Sequence, residues 1–277
     1  MRIAILLATY NSERFLTEQI DSILNQSYQN WILYIRDDGS SDRTLEIIGE
    51  FQQSYPDKIR LIKDGERGLG AYHNFIRMLY TVDADFYMFS DHDDVWLPDK
   101  VLLSVNMIKD SIEKYGNNIP LLVHSDMKVV DENLNTINSS FWKYCRLLPN
   151  HVRFEELIFC NSVNGCTILI NQKAKDISLS NISYCVMHDV LLAQSVSAGG
   201  GKIVKVDEPT LLYRQHFNNV VGAVNANRKY FFERAIHLTH SLMMFLSIIK
   251  NAQLIKKTPI WVLIYYKVKT LILRALV

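Results

Sequence analysis

The chain has 277 residues, 48% of them hydrophobic, which is enough to bury one α/β core and excludes disorder as the main state. Its 30 Lys and Arg residues balance 29 Asp and Glu residues, and the net charge of +1 excludes a global attraction to nucleic acid. We therefore expect no nucleic-acid partner, and any electrostatic function must be local.

About the first hundred residues alternate between strand and helix patterns. The apolar run over residues 2–8 is predicted to be a strand rather than a signal peptide, because polar residues follow it without a cleavage site. Repeated strand–helix–strand units imply a mostly parallel, Rossmann-like sheet with flanking helices, whose ligands bind at the carboxyl ends of the strands. The spacing predicts helices over 12–25, 42–51, 71–80 and 99–112, and further strands over 31–35, 59–62 and 84–89.

The rest of the chain is less regular. A helix is predicted near 189–197, and a long helical stretch from residue 227 to 250. We predict one α/β domain over residues 1–226 and a helical tail over 227–277. Short strands are predicted near 121–124, 167–170, 203–206 and 210–213.

The cysteines indicate a reducing compartment. None of the four forms a C-x-x-C pair or a metal-finger spacing, and several lie among apolar residues. We interpret them as reduced structural residues of a cytoplasmic protein: Cys145, Cys160, Cys166 and Cys185.

Carboxylates cluster directly after the predicted strand over 84–89. Asp91, Asp93 and Asp94 would repel one another and lose solvation if they were left unpaired. In an extended segment alternate residues point the same way, so Asp91 and Asp93 can face one ligand. Oxygen donors suit Mg²⁺ or Mn²⁺, and a solvated acidic loop is the alternative that the local sequence leaves open.

Three other motifs have both a structural and a functional interpretation. Residues 37–42, D-D-G-S-S-D, suit a turn with helix capping, or a carboxylate that binds a nucleobase or a sugar. Arg214 and His216 lie two positions apart in the chain. This spacing suits either an ordinary surface pair or two side chains that face a diphosphate together. Asp189 opens a predicted helix, where the helix dipole favours a carboxylate.

Taken together, these motifs resemble family 2 glycosyltransferases of the GT-A fold, and more narrowly their bacterial rhamnosyltransferase-like branch. The resemblance covers about residues 1–222, and several spaced motifs are more specific than any one of them. Phe217 departs from the pattern, because relatives often have glycine at its position. The matching segments are Ala8-Thr9-Tyr10-Asn11, residues 37–42, residues 90–100, Val123-His124-Ser125-Asp126, Asn164-Gly165-Cys166-Thr167, His188-Asp189 and residues 213–219.

The resemblance implies a role for each matching residue. Asp38 would contact the nucleobase, and Asp91 and Asp93 would form the D-x-D element, with Asp93 as the principal metal ligand. His216 would also ligate the metal, and Asp189 would be the general base that inverting members use. The residues that would bind the nucleotide-sugar donor are Thr9, Tyr10, Asn11, Asp38, Asn74, Asp91, Trp96, Gly165 and Arg214.

The implied activity is a metal-dependent, inverting transfer of a sugar from a nucleotide-diphosphate donor to a glycan or lipid-linked acceptor in bacterial surface polysaccharide synthesis. The cofactor would be Mn²⁺ or Mg²⁺. dTDP-L-rhamnose is the donor expected first, and UDP-hexoses stay open. Residues 1 to about 115 would bind the nucleotide sugar, and 116–226 would hold the acceptor and the base. A nucleotidyltransferase, which would not need Asp189, and an inactive glycan-binding protein are the alternatives.

The end of the tail has an unusual composition. Residues 260–277 combine Trp261, Tyr265 and Tyr266 with three cations, which disfavour a membrane-spanning helix. The combination is typical of a helix that lies in an anionic membrane interface, so we expect peripheral attachment to the inner face of the plasma membrane. The alternative is docking on the catalytic domain or on a partner chain, and homo-oligomerisation stays open.

Overall fold

A computed structural model of the chain describes residues 1–182, 187–217, 219, 222–226 and 238–276. The strands are β1 (Ile3–Thr9), β2 (Trp31–Asp37), β3 (Ile59–Leu61), β4 (Phe86–Ser90), β5 (Val95–Trp96), β6 (Leu121–Val130), β7 (Thr136–Asn138), β8 (Leu169–Asn171) and β9 (Lys202–Arg214). The helices are α1 (Leu16–Leu24), α2 (Thr44–Ser54), α3 (Gly70–Thr81), α4 (Lys100–Tyr115), α5 (Phe141–Tyr144), α6 (Phe154–Leu157), α7 (Gln172–Leu179), α8 (His188–Ala198), α9 (Leu238–Ile255) and α10 (Ile260–Leu276).

The described strands form one sheet in the order β3-β2-β1-β4-β8-β6-β9-β5, with β7 paired to β6. The first four strands of that order are parallel, as the alternating pattern predicts. β8 is antiparallel to both β4 and β6, while β6 and β9 are parallel. The predicted α/β fold is confirmed, and the antiparallel strands come from the less regular second half.

Alternation along β1 places a hydrophobic core on each face of the sheet. Ile3, Ile5 and Leu7 pack in one core, while the residues between them pack in the other. A strand that is buried on both faces reads as a continuous apolar run, which is why residues 2–8 resemble a signal sequence.

Strand β9 differs from the prediction. Two short strands were expected near 203–206 and 210–213, but the structure has one strand over Lys202–Arg214. The register against β6 shifts where Asp126 pairs with Pro209, so the strand continues through an irregularity. Proline cannot donate a ladder hydrogen bond, and this explains why the sequence pattern breaks there.

The C-terminal helices pack on the domain through a third, smaller core. Ile249, Ala252 and Leu263 contact Phe154 and Ile158. Residues 227–237, the first part of the predicted helical stretch, lie outside the described residues, as does Cys185. Cys145, Cys160 and Cys166 are buried and reduced. In the part of the chain that the structure describes, we find no helix with both the length and the apolar character needed to cross a bilayer.

Candidate active site

A cleft of about 890 Å³ opens at the carboxyl ends of β1, β2 and β4. The edge of the parallel strands is where the sequence analysis places a ligand. Two predicted site residues, Trp96 and Arg214, are not among the residues that line the cleft. The predicted site residues that do line it are Thr9, Tyr10, Asn11, Asp38, Asn74, Asp91, Asp93, Gly165, Asp189 and His216.

At the β2 end, Asp37 organises a tight turn. Its carboxylate accepts hydrogen bonds from the backbone N–H groups of Gly39 and Ser40, at 3.0 and 2.8 Å. The Thr9 hydroxyl donates to the same carboxylate at 3.0 Å. Gly39 has a φ of +96°, which side-chain-bearing residues rarely adopt, so the turn requires glycine there. Thr9 and Asp37 therefore shape the β1–β2 corner.

Asp38 connects this corner to the loop before α3. Its two carboxylate oxygens accept from the N–H groups of Leu69 and Gly70, at 2.9 and 2.7 Å. The side chain also lines the cleft, where a carboxylate that accepts two such bonds keeps lone pairs for a further donor. The loop and the predicted base-binding residue are thus one hydrogen-bonded unit.

A fully buried arginine lies beneath Asp38. Arg36 forms two hydrogen bonds of 3.0 Å with Asp64, and it contacts Asp38 at 3.3 Å and the side-chain oxygen of Asn74 at 3.1 Å. The hydrogen bond from Arg36 lowers the pKa of Asp64 to about 2. Asn74 faces the cleft, and its amide oxygen is held by Arg36.

The acidic cluster lies beyond the end of β4. The carboxylate of Asp93 contacts the imidazole of His216 at 2.8 Å. Burial opposes ionisation of Asp93, but the hydrogen bond with His216 keeps its pKa below the usual value. Burial, together with the charges of Asp93 and Asp189, raises the pKa of Asp91 to about 7. Burial and the neighbouring carboxylates at this end of the cleft therefore disfavour the ionised form of Asp91.

Part of the compensating positive charge comes from Arg214, behind the cluster. Its Nε donates to the backbone carbonyl of Asp93 at 2.8 Å, one terminal nitrogen donates to the carbonyl of Glu132 at 2.7 Å, and the other forms an ion pair with Glu18. The guanidinium also stacks over Phe15 at 4.5 Å. Arg214 therefore holds the backbone of the acidic segment, and its side chain does not line the cleft.

Lys100, which is not among the predicted site residues, supplies a second cation. Its buried ammonium donates to the backbone carbonyl of Cys166 at 2.8 Å and lies 4.7 Å from the ring of Trp96. Burial lowers its pKa to about 8. Trp96 therefore packs over this lysine, in the core beneath the site.

The predicted metal ligands are not the closest set of ligand-type atoms. Among the described residues, the group of three such side chains whose ligand atoms all lie within 4.8 Å of one another consists of Asp91, Asp94 and Cys166. Burial, together with the nearby carboxylates, raises the pKa of the Cys166 thiol well above its usual range. A protonated thiol is a poor ligand for Mg²⁺ or Mn²⁺, which prefer oxygen.

Asp189 lies in the first turn of α8 and faces the cleft. Burial raises the pKa of this carboxyl to about 6, although hydrogen bonds from backbone N–H groups oppose the shift. Its neighbour His188 packs between Phe75 and Phe89, at ring distances of 4.2 and 5.3 Å. Burial lowers the pKa of His188 to about 3, so this imidazole is neutral.

Gly165 makes this packing possible. A Cβ at this position would lie 2.3 Å from Nε2 of His188, well inside van der Waals contact. The absence of a side chain at Gly165 therefore leaves room for the His188 imidazole at the wall of the cleft.

The family model for Glycosyl transferase family 2 matches residues 4–162, which is more than half of the chain. The chain belongs to this family. A dTDP-rhamnosyl transferase, RfbG of Shigella flexneri, is 30% identical over 228 residues, a match that covers 78% of this chain and 74% of that protein. Escherichia coli WfgD, a UDP-Glc:alpha-D-GlcNAc-diphosphoundecaprenol beta-1,3-glucosyltransferase, is 34% identical over 117 residues, which are 42% of this chain and 45% of WfgD.

Solved structures show the same fold as this family 2 glycosyltransferase. Residues 1–349 of Staphylococcus aureus TarS in complex with UDP-GlcNAc align with a TM-score of 0.58 and 17% identity, over 91% of this chain and 73% of that chain. The mannosyltransferase PcManGT from Pyrobaculum calidifontis, in complex with GDP-Man and Mn²⁺, aligns with a TM-score of 0.54 and 16% identity, over 99% of this chain and 75% of that chain. These similarities confirm the predicted GT-A architecture.

Proposed function

We propose that this family 2 glycosyltransferase is a metal-dependent, inverting enzyme that transfers a sugar from a nucleotide-diphosphate donor to a glycan or lipid-linked acceptor in bacterial surface polysaccharide synthesis. One observation carries the proposal: Asp91, Asp93 and Asp189 converge in one cleft, and burial raises the pKa of Asp189 to about 6. A base whose pKa lies near neutrality is efficient at removing a proton from an acceptor hydroxyl.

In this proposal the cleft has a donor end and an acceptor end. The donor nucleoside binds at the corner formed by Thr9, Tyr10, Asn11 and Asp38, which the loop before α3 closes. Asp189 takes the proton of the acceptor hydroxyl while the acceptor oxygen bonds to the anomeric carbon, and the bond from that carbon to the diphosphate breaks. Arg214 acts by holding the carbonyl of Asp93, so it positions the acidic segment.

The residues at the acidic end fit a hard divalent cation. Asp91, Asp93 and His216 line the cleft together and offer two carboxylates and one imidazole. They would hold Mn²⁺ or Mg²⁺, with Asp93 as the principal ligand. When bound, the cation would neutralise charge that develops on the leaving diphosphate.

The relatives support a choice between two donors. The similarity to the Shigella rhamnosyltransferase covers most of both chains, so dTDP-L-rhamnose is the first donor substrate that we propose. The shorter match to the E. coli glucosyltransferase supports a UDP-hexose as the second. The name of that relative includes a diphosphoundecaprenol-linked sugar, which also supports a lipid-linked acceptor.

A donor panel tests the proposal. dTDP-L-rhamnose, UDP-glucose and UDP-N-acetylglucosamine are each incubated with the full chain and an acceptor mixture, with Mn²⁺ or with EDTA. We expect Mn²⁺-dependent release of nucleoside diphosphate from one donor, and NMR of the product should show an inverted anomeric configuration. Release of pyrophosphate, or a retained configuration, would contradict the proposal.

A further inference from the structure

The outward face of helix α10 is apolar and aromatic. Trp261 is 71% exposed and Tyr265 is 60% exposed, although residues of this kind are usually covered. The side chains recur at helical spacing, so they form one continuous strip along the helix. This outer stripe consists of Trp261, Ile264, Tyr265, Val268, Ile272 and Leu276.

At least two of the three charged side chains of the same helix contact the protein. Lys269 pairs with Glu156 at 2.7 Å, and Arg274 donates to the backbone carbonyls of Cys145 and Arg146, both at 2.9 Å. Leu263 completes this inner face in the small third core. A surface helix ordinarily buries its apolar face and exposes its charges. Here polar contacts hold the helix on the domain, and the outer stripe is left for another partner.

The charge of the tail indicates what that partner is. Residues 234–277 contain seven Lys and Arg residues and no Asp or Glu, and of these cations Lys256, Lys269 and Arg274 contact the domain. Lys250 and Lys257 are exposed, one in α9 and the other at the turn between the two helices. Two copies of the chain that met through this face would bring like charges together. An anionic lipid surface attracts the cations and accepts the apolar stripe, with tryptophan and tyrosine at headgroup level.

We propose that the outer stripe of α10 docks on an anionic membrane surface and lies in the headgroup layer. The inference rests on the proposed function, in which a lipid-linked saccharide is one proposed acceptor, and the docked helix lies next to an element of the cleft wall. Arg274 binds the turn at residues 145–146, directly after α5, whose Phe141 lines the cleft. Docking through the stripe would therefore hold the catalytic domain at the surface that carries a lipid-linked acceptor.

Vesicle sedimentation of the full chain tests the proposal without any donor. We compare vesicles of phosphatidylcholine alone with vesicles of phosphatidylcholine and phosphatidylglycerol in equal parts. We expect the triple variant Ile264→Gln, Val268→Gln, Ile272→Gln to partition at least about tenfold less onto the anionic vesicles than the parent chain. The matched control is Leu45→Gln, Tyr80→Gln, Ile137→Gln, whose parent side chains are between 46% and 58% exposed elsewhere; it should bind like the parent.

A second variant isolates the charge contribution. Lys250→Gln with Lys257→Gln should reduce binding to the anionic vesicles by about tenfold, because each nearby cation adds to the attraction, while weak binding to neutral vesicles is unchanged. Thermal unfolding midpoints confirm that each variant is folded.

Two results with the stripe variant would overturn the docking proposal. One is equal partitioning of the stripe variant and the parent. The other is a dimer in light scattering that the stripe variant dissociates, with no vesicle binding, which would assign the stripe to a second copy. Vesicle binding without sugar transfer would contradict the proposed function alone. Transfer to a water-soluble acceptor without vesicle binding would contradict the docking alone.

Discussion

The imidazole of His216 lies 2.8 Å from the carboxylate of Asp93, although 123 positions separate the two residues in the chain. The contact joins the segment after β9 to the segment after β4, and Arg214 reinforces it through the Asp93 carbonyl. The two predicted metal ligands are thus already adjacent at the negative end of the cleft.

We expect Asp93→Asn to abolish Mn²⁺-dependent donor binding and to lower turnover by at least about 10²-fold, because the amide removes the principal anionic ligand. Calorimetry of donor binding with and without Mn²⁺ measures the first effect, and product formation the second. Asp207→Asn is the matched control, since that carboxylate is exposed in β9. Mn²⁺-stimulated turnover close to that of the parent enzyme would remove Asp93 from the metal site.

Asp189→Asn should lower kcat by roughly 10²- to 10⁴-fold, the range of general-base catalysis, while donor affinity changes little. The substitution keeps the size of the side chain and its place in the first turn of α8 but removes its basicity. Asp110→Asn, at an exposed position of α4, is the control. Transfer within about threefold of the parent rate would return Asp189 to the role of a helix-terminal carboxylate.

The pH dependence of kcat should show an acidic limb set by Asp189. Its pKa is raised to about 6, so the carboxylate that accepts the proton is lost as the pH falls through that value. Turnover is then expected to fall about tenfold for each pH unit below the limb. The residual activity of Asp189→Asn should lack this limb, and a limb that persists in the variant would assign it to another group.

Asp64→Asn should destabilise the fold by about 2 kcal/mol, because the carboxyl has a pKa of about 2 when folded and 3.8 as its ordinary value. Because folding lowers the pKa of Asp64, its ionised carboxylate stabilises the folded protein at pH values above 3.8. This contribution disappears as the pH falls from 3.8 towards 2. Urea unfolding near neutral pH measures the loss. Asp83 forms an ion pair with Arg2, and its side chain is 86% exposed. Asp83→Asn should therefore lower the free energy of unfolding by less than about 0.5 kcal/mol. Equal losses for the two variants would contradict the role of the Arg36 pair.

Gly165→Ala should displace His188, since the new methyl group would meet its Nε2 at 2.3 Å. We expect about 1–3 kcal/mol of destabilisation from overpacking. We also expect a lower kcat, because the displaced His188 directly precedes Asp189 in the chain. Gly49→Ala is the control: no atom lies within 4 Å of its Cβ, and a helical position favours alanine. An unchanged kcat in Gly165→Ala would show that the His188 packing does not position the base.

The strand–helix order and the acidic cluster could be predicted because they depend on local spacing. Buried parallel strands appear as apolar runs, and the D-x-D carboxylates come directly after one of them. The partners of buried cations could not be predicted in this way. Arg214 contacts Glu18, 196 residues away, and Lys100 appears in the sequence as an ordinary residue of an amphipathic helix.

The tail shows the same limit. The composition of residues 260–277 predicts a helix in a lipid interface, with docking on the catalytic domain as the alternative, and Lys269 and Arg274 contact the domain. The spacing of these residues indicates a face of the helix, and it does not indicate which surface that face meets. The surface is decided by Glu156 and by the backbone carbonyls at residues 145–146, which are more than a hundred positions away.

The carboxylates of Asp37 and Asp38 accept four backbone N–H groups from two separate loops before any donor arrives. The conformational entropy of these loops is therefore lost when the chain folds, not when the nucleotide binds. If the donor nucleoside binds at this corner, as we propose, a corner that is already ordered would make binding fast and would leave the affinity free of an ordering cost. Differences in sugar preference among enzymes with this corner would then arise at the Asp189 end, where the sugar and the acceptor meet.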